Sequence, residues 1–514
     1  MTAARKIDSN ETELAWAEEE TIGVLPGTPV WNPLEPNSYS DFGGEIKTVA
    51  REPITADRQR RKAVVTDLDA KVEFEQDWTQ NNLSDLLQGF MFADYRPKGE
   101  TSSAITDVDN DPDTFTVASA QGSGFVAGDL VKSTGFTNSG NNILFLVSAS
   151  TATTVTTTTS SLTAEASPPT DAKLTVVGFQ FASDAVTITN GGSAYPFLTA
   201  TAKDLTQLGI IPGEWVFLGD DSSAAFNFAT AANNGFARVR SVTATVMTFD
   251  KTYTTMVTDA GTSKTIRIFL GRVLKNENGD TLVRRSYQFE RKLGKGDDTD
   301  TNVQTEYVIG AVADELELDI STADKAVAKL KFMGTDHETY GDDTAIKTGT
   351  RSTLDAEDAF NTSSDVSYVK LSVPSTTLAN PSALFQHISD LSITVKNNIK
   401  GNKAVGTLGS FDMSAGNFDV SAKMTAYFAN VDVIASVRAG TALTLDVMLV
   451  KNNSGLAIDV VQMVAGKSLL NVKKDEPIEL PLEPDASSGV EIDADLNHTL
   501  LLCFFDYLPD SADV

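Results

Sequence analysis

Asp107, Asp109, Asp111 and Asp113 stand at alternate positions, as the first oxygen ligands of a calcium loop do. Such a loop needs glycine sixth for its sharp turn and a bidentate glutamate twelfth, and here those positions hold Pro112 and Ala118. The run therefore reads as an acid-rich surface turn. Gly466, Lys467 and Ser468 imitate the end of a phosphate-binding loop, but Val461 stands where the leading glycine belongs. Gly122 and Gly124 open a dinucleotide pattern that Ala127 leaves unfinished. Cys503 lies in the apolar run 500–505, where a thiolate would be unsupported, so it reads as core. Three histidines, His337, His387 and His498, leave little for imidazole chemistry, and no serine sits in a nucleophile elbow. Paired carboxylates are not readable from spacing among 70 acids, because their separation is spatial. The expectation is a non-enzyme without metal or cofactor.

Charge narrows the partners. The chain has 514 residues with 41 Lys+Arg against 70 Asp+Glu, a net charge of −29. That balance opposes a surface built to grip DNA or an anionic membrane. The start carries Arg5 and Lys6 with no apolar run behind them, and the longest apolar stretch is far below the ~20 residues of a membrane helix. A soluble protein made in the cytoplasm is expected. Arg58, Arg60, Arg61 and Lys62 form the one dense basic cluster, without interleaved aromatics. A patch meeting an acidic surface of a neighbouring copy is the economical reading.

These residues need elements to hold them, and the dominant signal is period-two alternation. Phe418, Val420, Ala422, Met424, Ala426 and Phe428 alternate with polar residues, as do Leu391, Ile393 and Val395, and Leu443, Leu445, Val447 and Leu449. Residues 500–505 are apolar throughout and read as a strand covered on both faces. A hairpin turning near Ala323 would set Glu317 opposite Lys329 and Glu315 opposite Lys331. Helical signal is scarce. Leu83, Leu86, Leu87, Phe90 and Met91 share one helical face behind Asn82 as N-cap, and a shorter candidate opens at Asn380–Pro381 with Leu384, Phe385 and Ile388.

Residues 101–270 differ in composition and contain an internal repeat. Gly128-Asp129-Leu130-Val131 recurs as Gly213-Glu214-Trp215-Val216, and Asn141-Asn142 as Asn233-Asn234. Ser148 to Thr156 recurs at Ser241 to Thr248, and Leu174 to Phe179 at Ile266 to Leu270. Two small β modules are expected, 101–180 and 181–270. From Asp475 onward there are acids but no Lys or Arg, with Pro477, Pro481 and Pro484 favouring an extended connector that faces solvent or a basic partner.

Leu25 to Trp31, then Leu34 to Gly44, Arg58 to Lys62 and Thr79 to Ala93, together resemble the tail tube (major tail) protein family of long-tailed bacteriophages. Tyr287 to Gly334, Ser389 to Ile399 and Val405 to Phe428 resemble the same family's central and C-terminal parts. The resemblance implies a mainly β protomer with a sandwich or barrel core and one or two short helices. It also implies six-subunit rings stacking into a hollow tube for DNA ejection. On this reading residues 1–37 are an N-terminal arm bridging rings, 38–100 and 271–514 a discontinuous core, and the two modules outer decorations. Expected partners are other copies of the chain, a tape-measure protein and tail-terminator or distal tail proteins, with DNA only in passage, in a virion tail. Glu315, Glu317 and Asp319 are the candidate lumen-facing residues. The competing expectation is a tail spike or decoration protein that binds host-surface glycans, with Trp215 as a stacking residue.

Overall fold

The computed structural model describes residues 7, 9–54, 56, 59, 61–158, 162–190, 192, 194–295, 302–341, 346–354, 357–375, 378–385, 387–428, 431–466 and 469–512. Strands carry 49% of the residues and helices 8%, so backbone pairing between distant segments organises the chain. The strands that matter most are β1 (Glu13–Glu18), β2 (Val30–Leu34), β3 (Pro36–Val49), β4 (Val64–Asp77), β5 (Tyr287–Lys295), β6 (Val303–Ser321), β7 (Val327–Gly334), β8 (Ile388–Lys396), β9 (Asp419–Tyr427), β10 (Leu443–Lys451), β11 (Ser454–Ala465) and β12 (Leu500–Phe505).

One layer runs β9–β8–β6–β7–β4–β3, antiparallel throughout. A second runs Val366–Ser372, β10, β11, β12 and Arg272–Lys275. Short strands Glu479–Leu482 and Pro484–Ser487 join the two layers at β9 and β11. Alternate residues of both layers meet in one core that includes Val72, Phe74, Leu316, Phe332, Ile393, Met424, Val447, Ile458 and Leu502. The helix Ser84–Met91 closes this sandwich, with the Phe90 ring tilted against Phe332 at a centroid distance of 5.1 Å. Burying a side chain of this size stabilises by roughly 1.5–3 kcal/mol.

β6 is long because it serves two neighbourhoods. Its first half pairs with β5 and with Asp336–Tyr340, its second half with β7 and β8. Gly310 adopts φ +61° between the halves, and a Cβ there would fall 2.3 Å from Thr335 Oγ1. Only glycine fits that bend. β1 pairs with β5 and β2, so Glu13–Glu18 and Val30–Leu34 of the expected arm segment lie within the sheet.

The 101–270 region forms a second sheet in which six strands on one side of the centre are mirrored in order by six on the other, with the short strands Thr101–Ser102 and Glu165–Ala166 extra on the first side. On one side lie Ile105–Asn110, Asp113–Val117, Thr154–Thr157, Leu144–Ser150, Asp129–Thr134 and Lys173–Gln180. The matching set is Val186–Thr189, Phe197–Ala200, Val246–Thr252, Gly235–Val242, Trp215–Leu218 and Arg267–Leu270. The equivalent strands Lys173–Gln180 and Arg267–Leu270 pair antiparallel at the centre, which relates the halves by a local twofold. The repeated asparagines do repeated work. Asn141 brackets Thr163, and Asn233 brackets Val257, each donating to a carbonyl and accepting from an amide. Asn142 does the same for Phe136, and Asn234 for Phe228.

Three local expectations need correction. Asn82 does not cap the first helix: Leu83 occupies that position, while the Asn82 side chain bonds the Asp77 carbonyl and the Thr79 amide. No helix opens at Asn380. Its Oδ1 accepts from Lys370, and Leu384 donates its amide to Leu371, so the sheet edge takes the backbone first. A helix forms instead at Asp432–Arg438, with Val433 and Val437 buried. Finally, β10 buries both faces, because Met448 and Val450 pack with module residues Trp215, Phe217 and Phe236.

Candidate functional site

The first layer has one free face. Register places three polar rows across it: Asp419–Lys396–Glu315–Lys331–Glu73–Asp41, then Ser421–Thr394–Glu317–Lys329–Glu75–Ser38, then Lys423–Ser392–Asp319–Val327–Asp77. The expected pairs Glu315–Lys331 and Glu317–Lys329 are direct cross-strand partners, their charged atoms 3.7 Å apart in both. Closer contacts are the diagonal Lys329–Asp319 at 2.6 Å, the direct cross-strand pair Lys396–Glu315 at 2.8 Å, and Lys331 with the bulge residue Asp314 at 3.0 Å. The Asp319 hydrogen bond raises the Lys329 pKa, outweighing partial burial. Burial alone would lower Lys331, but Asp314, with Glu315 and Glu73, more than offsets it, so these lysines stay charged. Across the three rows eight acids meet four lysines, a net of −4. The surface is hydrated, dense in charge and acidic in balance. Glu315, Glu317 and Asp319 therefore lie together on it.

Beyond this face β3 and β4 continue as a two-stranded ribbon. Arg61 and Lys62 lie exposed in the connection at its end. Arg58 and Arg60 lie outside the described residues, as do Lys467 and Ser468. Lys403 reaches Asp67 and Asp69, both at 2.5 Å, and steadies the ribbon where it leaves the body. Past that point Ile46, Val49, Val64 and Val65 are each more than half exposed.

On the opposite side of the sandwich, the second module docks on β10 and β11 through buried charges that the sequence reading missed. Arg238 grips Asp250 with Nε at 2.9 Å and Nη2 at 2.7 Å, and its Nη1 reaches Asp459 at 2.9 Å. Lys251 contacts Asp446 and Thr444 and lies 3.2 Å from Asp459. Despite burial, Arg238 and Lys251 hold the Asp459 carboxyl below its ordinary range, whereas burial dominates at Asp446 and raises it. A signal existed: Asp446 and Asp459 each interrupt an apolar run, and a lone acid in such a strand needs a buried cation. Trp215 is buried here, donating Nε1 to Asp459 at 2.9 Å, which removes it as an exposed stacking residue. Cys503 is buried in β12, its thiol pKa pushed up by burial. His498, also fully buried, has no hydrogen-bond partner on either ring nitrogen.

Among the described residues no group of three or more His, Cys, Asp or Glu is placed to hold a metal ion, and no helix is long and apolar enough to cross a membrane. A search of curated proteins returns no match. A family model described as phage tail tube protein matches residues 9–208 and 213–489, nearly the whole chain. With a mainly β protomer built around one sandwich, the chain belongs to the phage tail tube protein family.

Proposed function

We propose that copies of this chain form six-membered rings that stack into a hollow tube, with the β9–β8–β6–β7–β4–β3 face lining the passage for DNA. The observation that carries the reading is the free charged face itself, with eight acids to four lysines and the modules docked on the far side of the sandwich. An acidic wall repels a polyanion and keeps it from sticking. Lysines interleaved between the acids limit the self-repulsion that would otherwise oppose ring closure. The modules, facing away from that lumen, decorate the outside of a virion tail. Assembly in the host cytoplasm with a tape-measure protein and tail-terminator or distal tail proteins fits this role.

Negative-stain electron microscopy of the purified chain, with sedimentation velocity, tests the reading. Rings or hollow tubes with a sixfold projection are expected. A discrete small oligomer that lacks a central hole and binds host cells would overturn it.

A further inference from the structure

The seam between the second module and the core brings an amine, an acid and a second carboxylate together out of reach of water. Lys251 belongs to the module strand Val246–Thr252. Its Nζ contacts Asp446 of β10 and lies 3.2 Å from Asp459 Oδ1 of β11. Asp446 and Asp459 are direct cross-strand partners, so both carboxyls rise from one face toward the module. The Lys251 side chain is 9% exposed, that of Asp446 2% and that of Asp459 0%.

The contacting charges do not match in number. Arg238 and Lys251 stand against Asp250, Asp446 and Asp459. Neutrality among them in a dry interior requires one acid to hold a proton. Asp250 takes two Arg238 hydrogens, and Asp459 takes hydrogens from Arg238, Lys251 and Trp215. Among the described residues Asp446 has Lys251 as its one ion-pair partner. Lys370, opposite Asp446 on the neighbouring strand, gives its ammonium to Asn380 instead. Asp446 is therefore the acid that keeps its proton, in line with the upward push that burial gives it.

We propose that Lys251 and Asp446 condense in the folded chain to a side-chain amide, which ties the second module covalently to the core. Asp459 takes a proton from the Lys251 ammonium, and the freed amine forms an N–C bond to the Asp446 carboxyl carbon. The C–OH bond then breaks as Asp459 passes that proton to the hydroxyl, which leaves as water. The proton lost from nitrogen as the amide forms ends on Asp459. Ammonium, acid and carboxylate thus become amide, water and protonated Asp459, with no oxidant or cofactor. The Arg238–Asp250 pair remains, so the contacting groups are neutral before and after. Fixed contact replaces chemical activation of the acid, and exclusion of water protects the amide once made. A second buried pair, Lys98–Glu214 at 2.7 Å, has the Gly209 carbonyl rather than another acid beside its ammonium and lacks this proton carrier. The bond is independent of the tube reading.

The intact mass of the purified full-length chain, measured after denaturation, reads the bond directly. The expected value is the sequence mass less one water. A tryptic digest should join residues 241–264 to 439–451 in one branched peptide, uncut after Lys251. Lys251→Met should return the full mass of its own sequence and lose the branched peptide. Where that variant fails to fold, the mass and peptide map of the unaltered chain still decide. A folded chain at full sequence mass, with both peptides linear, would overturn the proposal. Loss of water without the branched peptide, as from a succinimide at another acid, would overturn it equally.

Discussion

His498 should make this protein acid-sensitive in a way that one substitution removes. The ring is fully buried at the seam between the second module and the core, and a Cβ on Gly213 would fall 2.5 Å from its Cε1. Burial lowers its pKa from 6.5 to about 3; Asp459 favours the proton, whereas Lys275, Arg238 and Lys251 oppose it. The folded chain therefore keeps the ring neutral while the unfolded chain takes a proton as pH drops below 6.5. Stability from this group is complete above that value and falls by about 1.36 kcal/mol per unit beneath it, down to the folded pKa. Between pH 6.5 and pH 5 the loss is about 2 kcal/mol. His498→Leu removes the titration, and with neither ring nitrogen hydrogen-bonded it forfeits no partner. Thermal unfolding of unassembled subunits at pH 7 and pH 5, at equal ionic strength, provides the assay. At ~2.1 cal/mol/K per residue over 514 residues, 2 kcal/mol corresponds to a Tm difference of about 2 °C gained by the variant at pH 5. Asp446 and Asp459 are common to both proteins, so the comparison isolates His498. Curves that fall in parallel would refute a buried neutral ring.

Arg238→Met should destabilise by about 3–5 kcal/mol, because Asp250 and Asp459 would remain buried without their shared cation; hydrogen exchange in Trp215–Leu218 and β11 should report it. Phe332→Ala should cost about 3–5 kcal/mol in denaturant unfolding, since the ring is buried 4.6 Å from Phe289 and 5.1 Å from Phe90. Lys329→Ala, at a side chain 43% exposed, should cost less than about 1 kcal/mol in the same assay. Replacing Glu315, Glu317 and Asp319 together with lysine should leave tubes intact but make them retain added DNA in a co-sedimentation assay, with retention falling as salt rises.

What the sequence disclosed was what local pattern determines. The β6–β7 register followed from acids and lysines at matched alternate positions, which fit only one antiparallel alignment. The module repeat was visible because turn geometry demands glycine at 128 and 213 and because bracketing asparagines tolerate few replacements. Long-range partners were not visible. Alternation at Leu443 to Leu449 suggested one buried face, yet the intervening Thr444, Asp446 and Met448 are buried by a module far away in sequence. The Asn380 candidate had helix-opening residues but too short an apolar stripe to outcompete pairing with Leu371. The cleft between the β1–β2 segment and the base of the β3–β4 hairpin draws on five separated segments and leaves no linear trace.

The doubly covered second layer bears on how such a chain can be remodelled. Its outward side presents Met448, Val450, Ala457, Leu501 and Phe505, and among them the carboxylates Asp446 and Asp459. Excising the modules would bare that wall, and transplanting them would strand Arg238 and Lys251 in a foreign seam. Insert and host are thus bound to a common history. A shorter relative would need its own wall rewritten before it could do without them, and a swapped insert would have to carry matching cations.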